Sequence, residues 1–213
     1  MIDLHTHTLL SDGALIPSEL CRRAEVMGVR VLAITDHVDP SNIETVAPRA
    51  VEVCESLKGR WKIRAIPGVE ITHCPVETIA SLVKRARELG SRVVVVHGET
   101  LMEPVPEGTN RAAIEAGADI LAHPGLISEE DARRAAEAGV HLEITGRKGH
   151  SLTNGHVAAL AERFGVRLVL NSDTHGPGDL FSLDFARKIA RGAGIKDVAG
   201  VFKNSEDLVA KII

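Results

Sequence analysis

The chain has 213 residues, 44% of them hydrophobic, and a formal charge of −4, so it fits one domain with a sizeable core. Aromatic residues are scarce, with no Tyr and one Trp, which leaves Val, Ile, Leu and Ala to fill that core, as in α/β barrels. The acidic balance and the lack of a basic run argue against a protein that coats nucleic acid. Cys21, Cys54 and Cys74 are too few and too widely spaced for a disulfide framework or a Cys-x-x-Cys zinc knuckle, which fits a reducing, cytoplasmic setting. The opening Met-Ile-Asp-Leu-His-Thr-His has no leader character, and no apolar run approaches the ~18 residues of a membrane span.

Strands and helices are predicted to alternate along the whole chain. A strand at 2–5 precedes a helix opened by Pro17 and closed by Gly28, with Leu20, Ala24 and Met27 on one face. After a strand at 30–37, Ser41-Asn42-Ile43-Glu44 reads as a capping box. The strand at 63–71 leads to a helix opened at Pro75, with Ile79, Leu82, Val83 and Ala86 on one face and Gly90 as its stop. Beyond the strand at 92–98, Thr109 precedes a short helix ended by Gly117; beyond 119–124, Ser128 caps a helix that Gly139 ends. Beyond 140–145 a helix at 155–164 stops at Gly165, and the strand at 167–174 is followed by helices near 180–191 and 205–212. The short Val/Ile/Leu runs suit strands buried on both faces of a parallel sheet.

Each predicted strand ends in a His, an Asp or a Glu. The ends carry His5 with His7, Asp36-His37, Glu70, His97, His123, Glu143, and Asp173 with His175. In a closed parallel barrel these ends converge on one mouth, whereas an open sheet would leave its edge strands too far apart. Polar residues on every strand end therefore favour closure. So many imidazoles and carboxylates exceed the needs of one acid and one base; they imply divalent metal, with Zn, Mn or Fe suiting the mixed donors. Nine candidate ligands are too many for one tetrahedral site, which points to two or three ions.

His-Thr-His at 5–7, Ser-Asp-Gly at 11–13, Thr-Asp-His at 35–37, Gly-Val-Glu at 68–70, Val-His-Gly at 96–98, Ala-His-Pro-Gly at 122–125 and Ser-Asp-Thr-His at 172–175 together resemble the motifs of the PHP (polymerase and histidinol phosphatase) family. The resemblance runs in order over nearly the whole chain and implies a single domain over 1–213, a distorted seven-stranded (β/α)7 TIM-like barrel. It implies that His5, His7, Glu70 and Asp173 hold one metal, that a bridging Glu70 with His97 and His123 holds a second, and that Asp12, His37 and His175 hold a third. Some family members carry His where this chain has Asp12, so the third site is the one on which the family varies.

Other residues have weaker signals. Asp36 should point away from its neighbour His37 and reads as a supporting residue. Glu143 reads either as a pocket residue or as a partner to a ligand. His73 and His150 lie in loops at the expected mouth, while His141 and His156 read as structural and surface residues respectively. The loop Gly146-Arg147-Lys148-Gly149-His150 leaves the sixth strand at the same mouth, where Arg147 and Lys148 are placed to bind phosphate. Glu99 and Glu103 follow the fourth strand into a Pro-rich loop and, with Glu143, could meet a cationic group of the substrate.

The expected activity is hydrolysis of a small phosphate monoester, with histidinol phosphate the substrate the family suggests. Attack would come from a hydroxide shared by two metals, with Arg147 or Lys148 stabilising phosphoryl charge and a protonated His150 or His73 assisting the leaving group. Two other classes compete with it. A phosphodiesterase or nuclease could use the same cluster, but the negative charge and few aromatics count against it. A non-catalytic RNA-binding barrel, as a similar-looking ribonuclease P subunit is thought to be, could dispense with metal ligands that this chain retains.

Overall fold

The computed structural model describes all 213 residues, as seven parallel strand positions ringed by eight helices. The strands are β1 (Ile2–Asp3), β2 (Val31–Ile34) continued after a break by β3 (His37–Val38), β4 (Arg64–Ile71), β5 (Val93–His97), β6 (Ile120–Ala122), β7 (His141–Thr145) and β8 (Leu168–Asn171). Each pairs in parallel with its neighbour in the order β1-β2-β4-β5-β6-β7-β8, with β3 also on β4. Beyond their ends, β1 and β8 meet through a parallel bridge between Thr6 and Thr174. There the His7 amide donates to the Thr174 carbonyl at 2.8 Å and the Asp173 amide to the His5 carbonyl at 3.0 Å. The result is the nearly closed, distorted α/β barrel expected.

Period-two alternation divides each strand between two cores. Val93 and Val95 pack with Ala33, Ile66, Ile120, Ala122 and Val169 in one cluster, whereas Val94 and Val96 join the larger cluster that seats the helices. Each such fully buried Val, Ile or Leu contributes about 1.5–3 kcal/mol. His97 extends the Val93–Val95 row to the C-terminal mouth, and Glu70 extends the row of Ile66 and Gly68. A polar cluster is thus set on an apolar floor.

The helices are α1 (Pro17–Val26), α2 (Ile43–Leu57), α3 (Ile79–Glu88), α4 (Thr109–Glu115), α5 (Glu129–Ala138), α6 (Asn154–Phe164), α7 (Leu183–Gly192) and α8 (Val198–Ile212). Ser128 caps α5 as expected, its hydroxyl accepting from the Asp131 amide at 3.0 Å. Three local expectations fail. The capping box at Ser41 does not form: Ser41 instead donates to Asp39, and α2 starts after Asn42 with no side-chain cap. Met27 lies past the end of α1 and is 41% exposed, while Leu20 and Ala24 are buried. The last helix begins at Val198, capped by Asp197, earlier than its apolar pattern signalled. The three cysteines are free and buried, and no helix is long and apolar enough to cross a membrane.

Gly98 shows how tightly the mouth is drawn. A Cβ there would lie 2.3 Å from the Ala122 carbonyl oxygen, which accepts from the Gly98 amide at 3.0 Å. Gly98→Ala should therefore lower unfolding stability by about 2–3 kcal/mol, the scale of forced overpacking, as read from denaturant midpoints; an unchanged midpoint would show that the strand ends can spread.

Candidate metal centre

The strand ends deliver all nine candidate ligands to one polar cavity of about 360 Å³ or to its floor. Glu70 stands at the centre. Its Oε1 lies 3.2 Å from His5 Nε2, 3.3 Å from His97 Nδ1 and 3.6 Å from His123 Nε2; its Oε2 lies 2.7 Å from His37 Nδ1 and 3.6 Å from His7 Nε2. Asp173 faces the same space, 3.3 Å from His7 Nε2 and 3.7 Å from His123 Nε2. A second focus forms at the more exposed Asp12, which lies 3.3 Å from His175 Nε2, 3.5 Å from His37 Nε2 and 4.0 Å from His7 Nδ1.

Two of these side chains depend on unusual backbone. His123 follows Leu121 in strand parity, and Leu121 faces the helices; a φ of 27° at His123 turns the chain so that its ring enters the cavity. Asp173 has φ 53° and His73 has φ 52°. Left-handed backbone is costly for side chains other than glycine, and it gathers here at the cluster. Gly13 serves the Asp12 loop differently: a Cβ would fall 2.5 Å from the His7 carbonyl, so only glycine lets this loop close over β1.

A buried shell supports the cluster. His5 Nδ1 donates to Glu143 Oε1 at 2.8 Å, and Asn171 donates to the same oxygen at 2.8 Å. Glu143 is fully buried and does not line the cavity, which favours the supporting role over substrate contact. Its bond leaves His5 Nε2 as the free nitrogen facing Glu70, the usual device for orienting a ligating imidazole. Asp36 accepts from the Thr8 amide, the Thr8 hydroxyl and the Ser11 hydroxyl, each at 2.7 Å, and so anchors the loop that carries Asp12.

The electrostatics match a site built for cations. Burial opposes charge on Glu70, yet His5, His37 and His97 hold its carboxyl well below the usual range. Burial above all raises Asp173 to about 7. Burial also opposes charge on His97, but Glu70 and Glu103 outweigh it and raise the imidazole to about 9. Burial and neighbouring imidazoles push His7 and His123 well below their normal values. His5 Nε2, both ring nitrogens of His7, Glu70 Oε1 and His123 Nδ1 are buried without any hydrogen-bond partner. Orphaned buried polar atoms are costly and rare. Here several converge on one space, and mixed nitrogen and oxygen donors suit divalent Zn, Mn or Fe. The residues therefore fit the expected metals.

The remaining expected site residues divide. Arg147 lines the cavity, its Nη1 donating to the Asp173 carbonyl at 3.3 Å, and it is the one Lys or Arg to do so. His73 and His150 also line it. Lys148 does not: it is exposed and borders a separate surface hollow, because the turn at Gly149 sends it outward. Glu99 does not either: its carboxylate accepts from the amides of Gly108 and Asn110 at 3.0 and 2.8 Å and ties down its own loop. His150 is buried, with Nδ1 2.6 Å from the Thr100 hydroxyl, and burial lowers it to about 4. Burial thus favours the neutral form of its ring. His141 is buried beside the Asp119 carbonyl, and His156 is half-buried and bonded to the Ile127 carbonyl rather than free on the surface. Of the two acids expected from this loop, Glu103 is the one that reaches the cavity.

A family model described as PHP domain matches residues 3–150, and the chain belongs to this family. An uncharacterized protein of Methanocaldococcus jannaschii is 49% identical over 195 residues, covering 91% of this chain and 89% of that one. A probable phosphatase of Thermoanaerobacter sp. is 27% identical over 225 residues, covering 92% and 88%. The 5′-3′ exoribonuclease Rnm of Escherichia coli is 44% identical over 70 residues, which span 33% of this chain and 22% of that protein. Among solved structures, a chain in archaeal ribonuclease P with mature tRNA superimposes with a TM-score of 0.73 at 17% identity, covering 96% of this chain and 89% of that one; it shares the fold. The family match ends at His150, before β8, Asp173 and His175.

Metal uptake must displace the protons that His97 holds below about 9 and Asp173 below about 7. Affinity should therefore fall as pH falls, by about tenfold per unit for each proton displaced between pH 8 and pH 6. Chelator competition at three pH values measures this, and a flat profile would contradict it. Glu143→Gln should weaken metal binding by about 10- to 100-fold, because His5 loses the carboxylate that orients it.

Proposed function

We propose that this protein is a metal-dependent phosphoesterase that hydrolyses a small phosphate monoester. The observation that carries the reading is the set of orphaned histidine and carboxylate atoms at the floor of a cavity whose wall offers a single cation, Arg147. His5, His7, Glu70 and Asp173, with His97 and His123, would hold two ions, and Asp12, His37 and His175 a third. Bound divalent ions supply Lewis-acid activation of water and neutralise charge on the phosphoryl oxygens. Arg147 binds and orients the phosphoryl group through its guanidinium N–H donors. Asp173 and Asp179 hold that guanidinium at 3.7 and 3.9 Å, close enough to steady it and far enough to leave donors for phosphate. His73, partly exposed at the rim, is placed to meet the leaving group.

Cavity size and lining favour a small polar substrate. Among its fifteen lining residues only Val38 is hydrophobic, and none is a Phe, Tyr or Trp that would form a stacking platform for a base. Similarity to an exoribonuclease over 70 residues supports a second reading, attack on a phosphodiester at an RNA end. We also propose that residues 1–213 act as one unit, since Asp173 and His175 lie beyond the family match yet border the same cavity.

Phosphate release by Mn- and Zn-loaded protein distinguishes these readings, on a panel of histidinol phosphate, sugar and nucleotide monoesters and a 5′-phosphorylated oligoribonucleotide. Release from monoesters with the oligonucleotide chain left intact is expected; shortening of the oligonucleotide alone would replace this reading with the second. Asp173→Asn and His123→Ala should abolish turnover with the fold retained. Arg147→Ala should lower kcat/KM by about 10- to 100-fold, the scale of one lost charge-assisted hydrogen bond of about 2 kcal/mol. Full activity in the ligand variants with unchanged metal content would overturn the site assignment.

A further inference from the structure

We propose that Glu103, on the loop between β5 and α4, is a positioning residue that sets the orientation of His97 toward the metal centre. This rests on the metal-centre reading above. His97 lies between two carboxylates: Nδ1 is 3.3 Å from Glu70 Oε1, and Nε2 is 3.1 Å from Glu103 Oε2. Both nitrogens are buried, and neither makes a well-aligned hydrogen bond. An imidazole binds a cation through one nitrogen and then needs an acceptor for the N–H on the other. Glu70 lies among the orphaned donors, so Nδ1 is the nitrogen for the ion and Nε2–H is the one to be held. Glu103 is the carboxylate within reach of Nε2.

The same carboxylate gathers two more rings. His73 Nε2 donates to Oε2 at 2.9 Å, and His150 Nε2 lies 3.4 Å from Oε1. Three imidazoles, His97 at the end of β5 and His73 and His150 from the segments after β4 and β7, thus converge on one acid. The loop presents that acid in a restricted conformation. Pro104 confines Glu103 to extended backbone, Pro106 follows two residues on, and the Val105 amide donates to the Glu103 carbonyl at 2.9 Å. Its neighbours Leu101 and Met102 are more than half exposed, while the Glu103 side chain turns inward. An acid held only for solubility would face outward with them.

Co(II) loading tests this with a readout other than turnover. Wild type, Glu103→Gln and Glu107→Gln, an exposed acid on the same loop, would be titrated with Co(II) against a competing chelator and their visible spectra recorded. Expected for E103Q is a 10- to 100-fold loss of affinity, the range for removing the carboxylate partner of a ligating histidine, with a shifted absorption band. E107Q should match wild type. Should E103Q fail to fold, E103D keeps the charge but is one methylene too short to span to His97, and the same loss is expected. Wild type that binds Co(II) while a folded Glu103 variant binds it equally well, with the same spectrum, overturns this inference alone. Wild type that takes up no Co(II) overturns the metal-centre reading and this inference with it.

Discussion

The seam between β1 and β8 is the contact on which the cavity depends. There the Asp173 amide meets the His5 carbonyl and the His7 amide meets the Thr174 carbonyl. These bonds join the first and last strands at the very residues that face Glu70. Without the seam, His5 and His7 would stand on one edge of an open sheet and Asp173 and His175 on the other. Closure converts two distant edges into opposite walls of one cavity. It also explains why Asn171, the last residue of β8, bonds the Leu4 amide and Glu143: it knits the seam and the floor of the cluster together.

Concentrating this much ionisable chemistry in a buried space costs stability, since each group loses its hydration. The chain offsets part of that cost with fixed partners: Glu143 under His5, Thr72 beside His37 at 2.6 Å, and Thr100 beside His150. Most of what it leaves unpartnered belongs to the cluster, on His5, His7, Glu70, His97 and His123; Asp3 Oδ2, Ser91 Oγ and His141 Nε2 lie outside it. Strained backbone at His123 and Asp173 points the same way, because such conformations persist where the surrounding structure holds them. Divalent cations held by this cluster would relieve the cost of those unpartnered atoms.

Much of the fold was legible because its signals are local. Val93–Val96 reads as a doubly buried strand from composition alone, Ser128 as the cap of the helix that Gly139 ends, and Gly139 and Gly165 as helix stops; the structure agrees at each. Local signals failed where another partner was available. Ser41 has the spacing of a capping box, but Asp39 lies closer, and the hydroxyl takes it. Glu99 has the right loop for a pocket acid, but the free amides at the start of α4 claim its carboxylate. Lys148 lies next to Arg147 in sequence, but it is exposed and only Arg147 borders the cavity.

The amino-acid sequence by itself determined the alternation of strands and helices, the barrel class, and eight of the side chains brought to one mouth, because periodicity and strand ends are one-dimensional properties; Asp12 was legible only through the resemblance of its Ser-Asp-Gly motif to the family. Only the tertiary structure decided how those side chains share the space. It set Glu70 at the centre, placed Glu143 beneath the cluster, turned His123 inward against its strand parity and brought Glu103 to His97 from a loop with no periodicity. Such relations depend on distances between residues far apart in the chain. Burial then sets their charges, and no local pattern encodes either.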